Sequence, residues 1–272
     1  MSEHELSIGR SCRIVRLSRA AYYRPPKSSV ERDAPVIAAF NAVLERHPHD
    51  GFWKYADRIR AAFFPWNYKR LYRVYKAMGL NQKRRTKRRL PTRLRQPLEA
   101  PAVLNHTWAM DFVSDALYGG RKFRALTILD EGNREGLAIE AAFSIPSLRV
   151  IRVLDELVSV HGQPSALRVD NGPEFIAEVL VEWCRLRGIA LHYIQPGKPD
   201  QNAYIERFNR SYRQGVLDAY VFELIDQVGE ISKEWLKDYN TERPHDSLGR
   251  VPPLTFLPRE SSLREYTFEV ST

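Results

Sequence analysis

The chain has 272 residues, 43% of them apolar, and 42 Lys and Arg against 33 Asp and Glu give it a net charge of +9. That content fills at least one full core and leaves room for a smaller second unit, so a disordered or low-complexity protein is excluded. No run of about 18 uncharged apolar residues is available to span a bilayer, and the opening MSEHELSIGR lacks the apolar stretch of a signal peptide. The expectation is a cytosolic protein without a membrane partner.

The charge is unevenly spread. Residues 1–98 hold 23 basic and 7 acidic side chains, a net +16, whereas residues 99–272 carry a net −7. The first third is therefore expected to bind a polyanion, with nucleic acid the obvious one. Cys12 and Cys184 stand far apart with no CxxC or CxxH pairing, which supports neither a zinc site nor a disulfide framework and leaves both as packing thiols.

In chain order, SIGRSCRIV, the turn RLS and RAAYYR read as a helix-turn-helix fragment. The stretch APVIAAFNAVLERH puts Val36, Phe40, Val43 and Leu44 on one helical face. GFWKYADRIRAAF reads as another helix, interrupted by Pro65, and Asn67 is placed to cap a further one, YKRLYRVYKAMGL. There Leu71, Val74, Tyr75 and Met78 form the apolar stripe, while Lys69, Arg70, Arg73 and Lys76 lie mostly off it and are candidates for phosphate contact. From Lys83 to Arg95 eight of thirteen residues are basic and none is acidic, so a packed core is not expected. Lys83, Arg84, Arg85, Lys87, Arg88 and Arg89 are read as a linker lying along a DNA backbone, with a steep salt dependence of binding. The expected division is a helical DNA-binding head at 1–82, a basic linker at 83–99 and a body at 100–272.

The body opens with strand patterns, WAMDFVSDAL, KFRALTILDEG and GLAIEAAF, the first two joined at Gly119 and Gly120 as a hairpin. A helix LRVIRVLDELVSVHG, a strand ALRVD, a helix FIAEVLVEWCRLRG and a strand IALHYI follow, and after the loop QPGKPDQ two further helices begin at about Asn202. Three meandering strands followed by alternating helix and strand imply a mixed sheet flanked by helices, an α/β fold of the ribonuclease H type.

Three carboxylates stand out. Asp111 sits inside the apolar run Trp108 to Val113, where an ionised group costs several kcal/mol unless compensated. Asp170 ends a strand, and the following Asn-Gly-Pro-Glu turns into a helix with Pro173 at its first position, which sets the carboxylate at the sheet's carboxyl edge. Taken alone, Asp170 also suits local turn bonding. Glu206 lies on a helix, AYIERFNRSYR, where an ion pair with Arg210 is its plain alternative. If the three converge they repel one another, and two magnesium ions, with Mn2+ as a substitute, would offset the repulsion and suit in-line displacement at phosphorus. Arg213, seven residues after Glu206, shares its helical face, and it and Lys198 are candidates for holding the scissile or flanking phosphate. Glu174 is read mainly as first-turn stabilisation of its helix.

The segments WAMDFVSDAL, LRVDNGPEF, QPGKPDQNAYIERFNRSYR and YNTERPHDSLGRVPP, with 35 residues between Asp170 and Glu206, resemble the downstream-frame transposases of bacterial insertion sequences of the "IS three" family, which share the retroviral integrase core. The resemblance covers nearly the whole chain. It implies a D-D-E polynucleotidyl transferase using Asp111, Asp170 and Glu206, a magnesium requirement, and a basic residue at Arg213. It further implies double-stranded DNA as partner, both as inverted-repeat element ends and as target, with an oligomer on DNA and an upstream-frame DNA-binding protein, sometimes joined by frameshift fusion. The place of action it implies is the bacterial cytosol, on the nucleoid. One departure is that Gln214 and Gly215 stand where such proteins usually carry a Glu before Val-Leu-Asp, and Gly inside a helix costs about 1 kcal/mol relative to Ala. The rival reading is a catalytically inactive DNA-binding regulator or degenerate copy, whose mark would be a lost carboxylate. A tyrosine recombinase is disfavoured because no histidine is followed by Arg three residues on.

Overall fold

The computed structural model describes residues 7–24, 29–62, 66–81, 101–195 and 202–261. The proposed linker, with Lys83, Arg84, Arg85, Lys87, Arg88 and Arg89, and also Lys198, lie outside the described residues.

The amino-terminal region is helical. Helices α1 (Ile8–Ile14) and α2 (Arg19–Tyr23) start at Ser7 and Ser18, whose hydroxyls accept from the backbone N–H groups of Arg10 and Ala21. Helices α3 (Ser29–Arg46), α4 (Phe52–Ala61) and α5 (Tyr68–Ala77) follow. Asn67 caps α5 as expected, accepting from Lys69 N at 2.8 Å. The expected apolar faces meet in one cluster, with Val36, Phe40, Leu71, Val74 and Tyr75 buried and Val43, Leu44 and Met78 packed against them. Both cysteines are buried and unbonded to each other.

The body is a five-stranded mixed sheet in the order β3-β2-β1-β4-β5, built from β1 (Thr107–Ala116), β2 (Lys122–Asp130), β3 (Gly136–Ala142), β4 (Ala166–Val169) and β5 (Ala190–Tyr193). The first three strands are an antiparallel meander turning through Gly120 at φ 80°, and β4 and β5 add parallel to β1. This is the ribonuclease H-like arrangement. Alternation along β1 divides the core. Trp108 and Met110 face α6 (Ser147–His161), α7 (Pro173–Ile176) and α8 (Glu178–Arg187), while Ala109 and Val113 face α9 (Ala203–Tyr212) and α10 (Ile225–Thr241).

Two local departures from the sequence reading have physical causes. The single helix expected from Phe175 is broken at Ala177, whose ψ of 132° is extended; Phe175 is thereby buried against Phe112 while α8 turns Leu180 and Cys184 into the same core. After α9 the chain widens into a π-helical turn, Arg213–Leu217, with Asp218 N–H donating to the Arg213 carbonyl at 2.8 Å. A Cβ on Gly215 would lie 2.4 Å from Trp235 Nε1, so close packing against the indole requires glycine at the departure noted in the sequence. Gly215→Ala should therefore destabilise the protein by about 1–3 kcal/mol through overpacking, despite its better helix propensity; a thermal melt at or above the wild-type midpoint would refute this.

Helices α9 and α10 are seated on β3 by a second glycine. A Cβ on Gly136 would stand 2.5 Å from Leu236 and 2.6 Å from Phe208, and the buried Asn240 amide pairs with both the N–H (2.9 Å) and the carbonyl (2.8 Å) of Gly136. The same carboxy-terminal motif turns its other face to the head. Arg250 pairs with Asp57 at 2.7 Å, and Arg58 joins Asp238 at 2.8 Å and Asp50 at 3.1 Å.

Candidate active site

Asp111 lies on β1, the central strand of the sheet, between the antiparallel β2 and the parallel β4. The β1–β4 register pairs Thr107 with Ala166 and Ala109 with Arg168, so two residues further on Asp111 faces Asp170 just past the end of β4. Helix α9 crosses the other side of Asp111 and brings Glu206, which is exposed. One turn along the helix, Asn209 Nδ2 donates to Asp111 Oδ2 at 2.8 Å. The Asn209 carbonyl oxygen accepts from the Thr127 hydroxyl at 2.8 Å, and that hydroxyl lies 3.1 Å from the Asp111 carbonyl. The second Asp111 oxygen accepts from Phe112 N–H at 2.7 Å. Sequence reasoning missed this Thr127–Asn209 tether; its signal is Asn at i+3 from Glu206, on the same helical face.

The carboxylate oxygens of Asp111, Asp170 and Glu206 do not all lie within 4.8 Å of one another, but the two neighbours are near enough to act on Asp111 by charge. Asp111 is pushed up to about 6, first by burial and further by the charges of Asp170 and Glu206, against the lowering pull of Phe112 N–H and Asn209. Asp170 is fixed by its own turn, its Oδ1 accepting from Gly172 N–H at 2.9 Å. A Cβ on Gly172 would stand 3.0 Å from Asp170 Oδ1 and 3.6 Å from Glu174 Oε2, so the glycine keeps the space between these two carboxylates open. Glu174 Oε2 is buried without a hydrogen-bond partner among the described residues. Its other oxygen pairs with Arg124, and although burial alone would raise Glu174, that bond holds it below the usual carboxylate range. An acid raised first by burial and then by two neighbouring carboxylates, with the unpartnered Glu174 oxygen across Gly172 from Asp170, offers the oxygen donors that hard divalent cations take.

The remaining sequence-predicted residues are dispersed. Arg213 donates to the Ser114 carbonyl at 2.8 Å and pairs with Asp115 at 3.5 Å, which places it over the far end of β1. Arg210 is exposed on α9 and forms no ion pair with Glu206 among the described residues. In the head, Arg70 and Arg73 both pair with Asp33, at 3.3 and 2.8 Å, whereas Lys69 and Lys76 are exposed.

Residues 103–199 and 187–253 each match a family model described as an integrase core domain. Over 257 residues the chain is 37% identical to the insertion element IS476 uncharacterized 39.2 kDa protein of Xanthomonas euvesicatoria, covering 94% of this chain and 74% of that protein. It is also 35% identical over 251 residues to the insertion element IS407 uncharacterized 31.7 kDa protein of Burkholderia multivorans, covering 92% of this chain and 90% of the relative. The chain belongs to the insertion-element transposases with an integrase core. Among solved structures it is similar to the HTLV-2 integrase catalytic core domain in complex with magnesium, at 19% identity and a TM-score of 0.45, covering 58% of this chain and 99% of that one. Among the described residues no helix of this transposase is long and apolar enough to cross a membrane.

Proposed function

We propose that this transposase cleaves DNA at the inverted-repeat ends of its element and joins the freed ends to target DNA, by D-D-E polynucleotidyl transfer with Asp111, Asp170 and Glu206. The observation that carries the reading is the placement of Asp111 on the central strand in register with Asp170 past the end of β4, with Glu206 on the crossing α9; burial first, and then these two charges, push the Asp111 carboxyl up to about 6. Asp111, Asp170 and Glu206 would hold two Mg2+ ions, replaceable by Mn2+, which would supply activation of the attacking water or 3′-hydroxyl and stabilisation of the leaving oxygen. The chain's own residues set the geometry: Asn209 and Phe112 N–H orient the two Asp111 oxygens, and Gly172 N–H orients Asp170. The basic head and linker, with Lys69, Lys76 and Lys198 among their neighbours in charge, would hold specific DNA ends by phosphate contacts. Bringing two ends together implies an oligomer on DNA, with or without an upstream-frame partner, working on the nucleoid in the bacterial cytosol.

Calorimetric titration of Mn2+ into the protein bound to element-end DNA tests this without requiring turnover. The wild type is expected to take up about two ions, with Asp170→Asn and Glu206→Gln each losing affinity while remaining folded. Equal uptake by all three proteins, or none by any, would overturn the triad and favour a DNA-binding regulator.

A further inference from the structure

We propose that Arg124 holds a DNA phosphate next to the Asp170–Glu174 turn, on the α7 face of a shelf made by the overhanging ends of β1 and β2, while the Asp111 side chain points to the α9 face. The proposal rests on the strand-transfer reading above and adds a contact that neither the sequence reading nor the family match assigns.

The shelf arises from unequal strand lengths. Strand β4 pairs with β1 only from Thr107 to Ala109, whereas β2 follows β1 as far as Ala116 opposite Lys122. Beyond Asp111 the hairpin therefore projects past the parallel half of the sheet. Arg124 sits on this projection between two small residues, Ser114 on one side and Ala142 on the other, and its side chain stays 35% exposed. Lys122, two positions away, shares the face and is exposed, at a spacing of about 7 Å along the strand.

The guanidinium is already oriented. Its carbon lies 3.9 Å from the centre of the Phe112 ring, which stacks in turn on Phe175 at 5.1 Å and 23°. One Nη donates to Glu174, which follows Asp170 by four residues, while Phe112 adjoins Asp111 in sequence. Arg124 thus ties β1, which carries Asp111, to α7, which starts three residues after Asp170. The Glu174 side chain is 16% exposed and that of Arg124 35%, so the pair presents its positive member to solvent. A guanidinium has five N–H donors, and among the described residues only Glu174 takes one. A planar fork held by stacking and by a tucked-in carboxylate loses little further freedom when it meets a phosphate, the anion it matches bidentately. As a stability device alone the pair would contribute little, since half-exposed ion pairs are worth about 0–1 kcal/mol.

The test uses the full chain and a fluorescein-labelled duplex carrying the element's terminal sequence, with anisotropy measured in Ca2+ across a salt series. Arg124→Gln keeps a planar group able to bond Glu174 but removes the charge. It should weaken binding about tenfold and reduce the log–log salt slope by about one. Arg124→Lys should restore the slope but only part of the affinity. Wild-type affinity and slope in Arg124→Gln would overturn the proposal and leave Arg124 as a staple for α7. Mn2+ uptake is measured in parallel. If the wild type takes up no ion, the strand-transfer reading fails by itself, and the salt slopes still decide whether Arg124 meets phosphate.

Discussion

Asp111→Asn is expected to abolish strand cleavage and, at the same time, to make the metal-free protein more stable at neutral pH. The two effects share one cause. The carboxyl is shut away from water and faced by Asp170 and Glu206, which raises it from 3.8 to about 6. The folded state therefore holds the Asp111 proton more tightly than the unfolded chain does. The contribution of Asp111 to stability is greatest below about pH 4, falls as pH rises from 3.8 towards 6, and stays lowered above that. The cost at pH 7 is on the order of 2–3 kcal/mol. An amide carries no charge to desolvate or repel, and its oxygen still accepts from Asn209. The gap between variant and wild type should thus be widest above pH 6 and close towards pH 4, as measured by urea denaturation at several pH values without divalent ions. A gap that does not change with pH would refute the burial account. On the proposed triad, loss of one of the three carboxylate ligands would remove several kcal/mol of charge stabilisation, or about a thousandfold or more in cleavage rate.

The parts of the site that could be read in the sequence are those with a local signature. Asp111 declares itself as a charge inside an apolar strand, and Asp170 as the start of Asp-Asn-Gly-Pro-Glu, whose Asx turn and proline-started helix the structure reproduces. Glu206 has no such mark; its spacing from Asp170 within the family resemblance singled it out. Asn209 escaped because its partners are set by the crossing of α9 over β1 and β2, and helical periodicity says only which face it occupies. Arg124 was hidden in KFRALTILD, which reads as a strand whatever its third residue does. The head's acids were obscured in the opposite way. In a region of net +16 the basic residues drew attention, yet Asp33, Asp50 and Asp57 decide which of them are committed to internal pairs. The Ala177 break and the π turn at Gly215 likewise depend on Phe175 and Trp235 finding their places in the core, which no window of sequence specifies.

The largest loss of stability is expected from Arg259→Met, far from any predicted site. Arg259 is 4% exposed and lies just beyond the short helix α11 (Pro253–Phe256). It donates to Glu135 at 2.8 Å and to Asn105 at 2.8 Å, and it also pairs with Asp130. Asp130 and Glu135 are themselves 0% and 1% exposed. Burial raises Asp130, and N–H groups of Asn105 and Gly132 together with the Arg259 charge work against that rise. Without the guanidinium, two enclosed carboxylates face each other uncompensated, which costs about 3–5 kcal/mol. The loss should shrink in acid, where the carboxylates can take up protons, and the triple variant Arg259→Met, Asp130→Asn, Glu135→Gln should recover most of it, because neutral groups have no charge to leave unpaired. Trp108 opposite Asp130 marks this as the opening end of β1, away from the overhang. Cleavage per folded molecule should therefore stay at the wild-type level at temperatures where the variant is folded. Denaturant midpoints of the single and triple variants decide the matter: a single-variant loss below about 1 kcal/mol would mean that water or rearrangement already satisfies the two acids, and that Arg259 is not what fastens the chain's last described segment to the sheet.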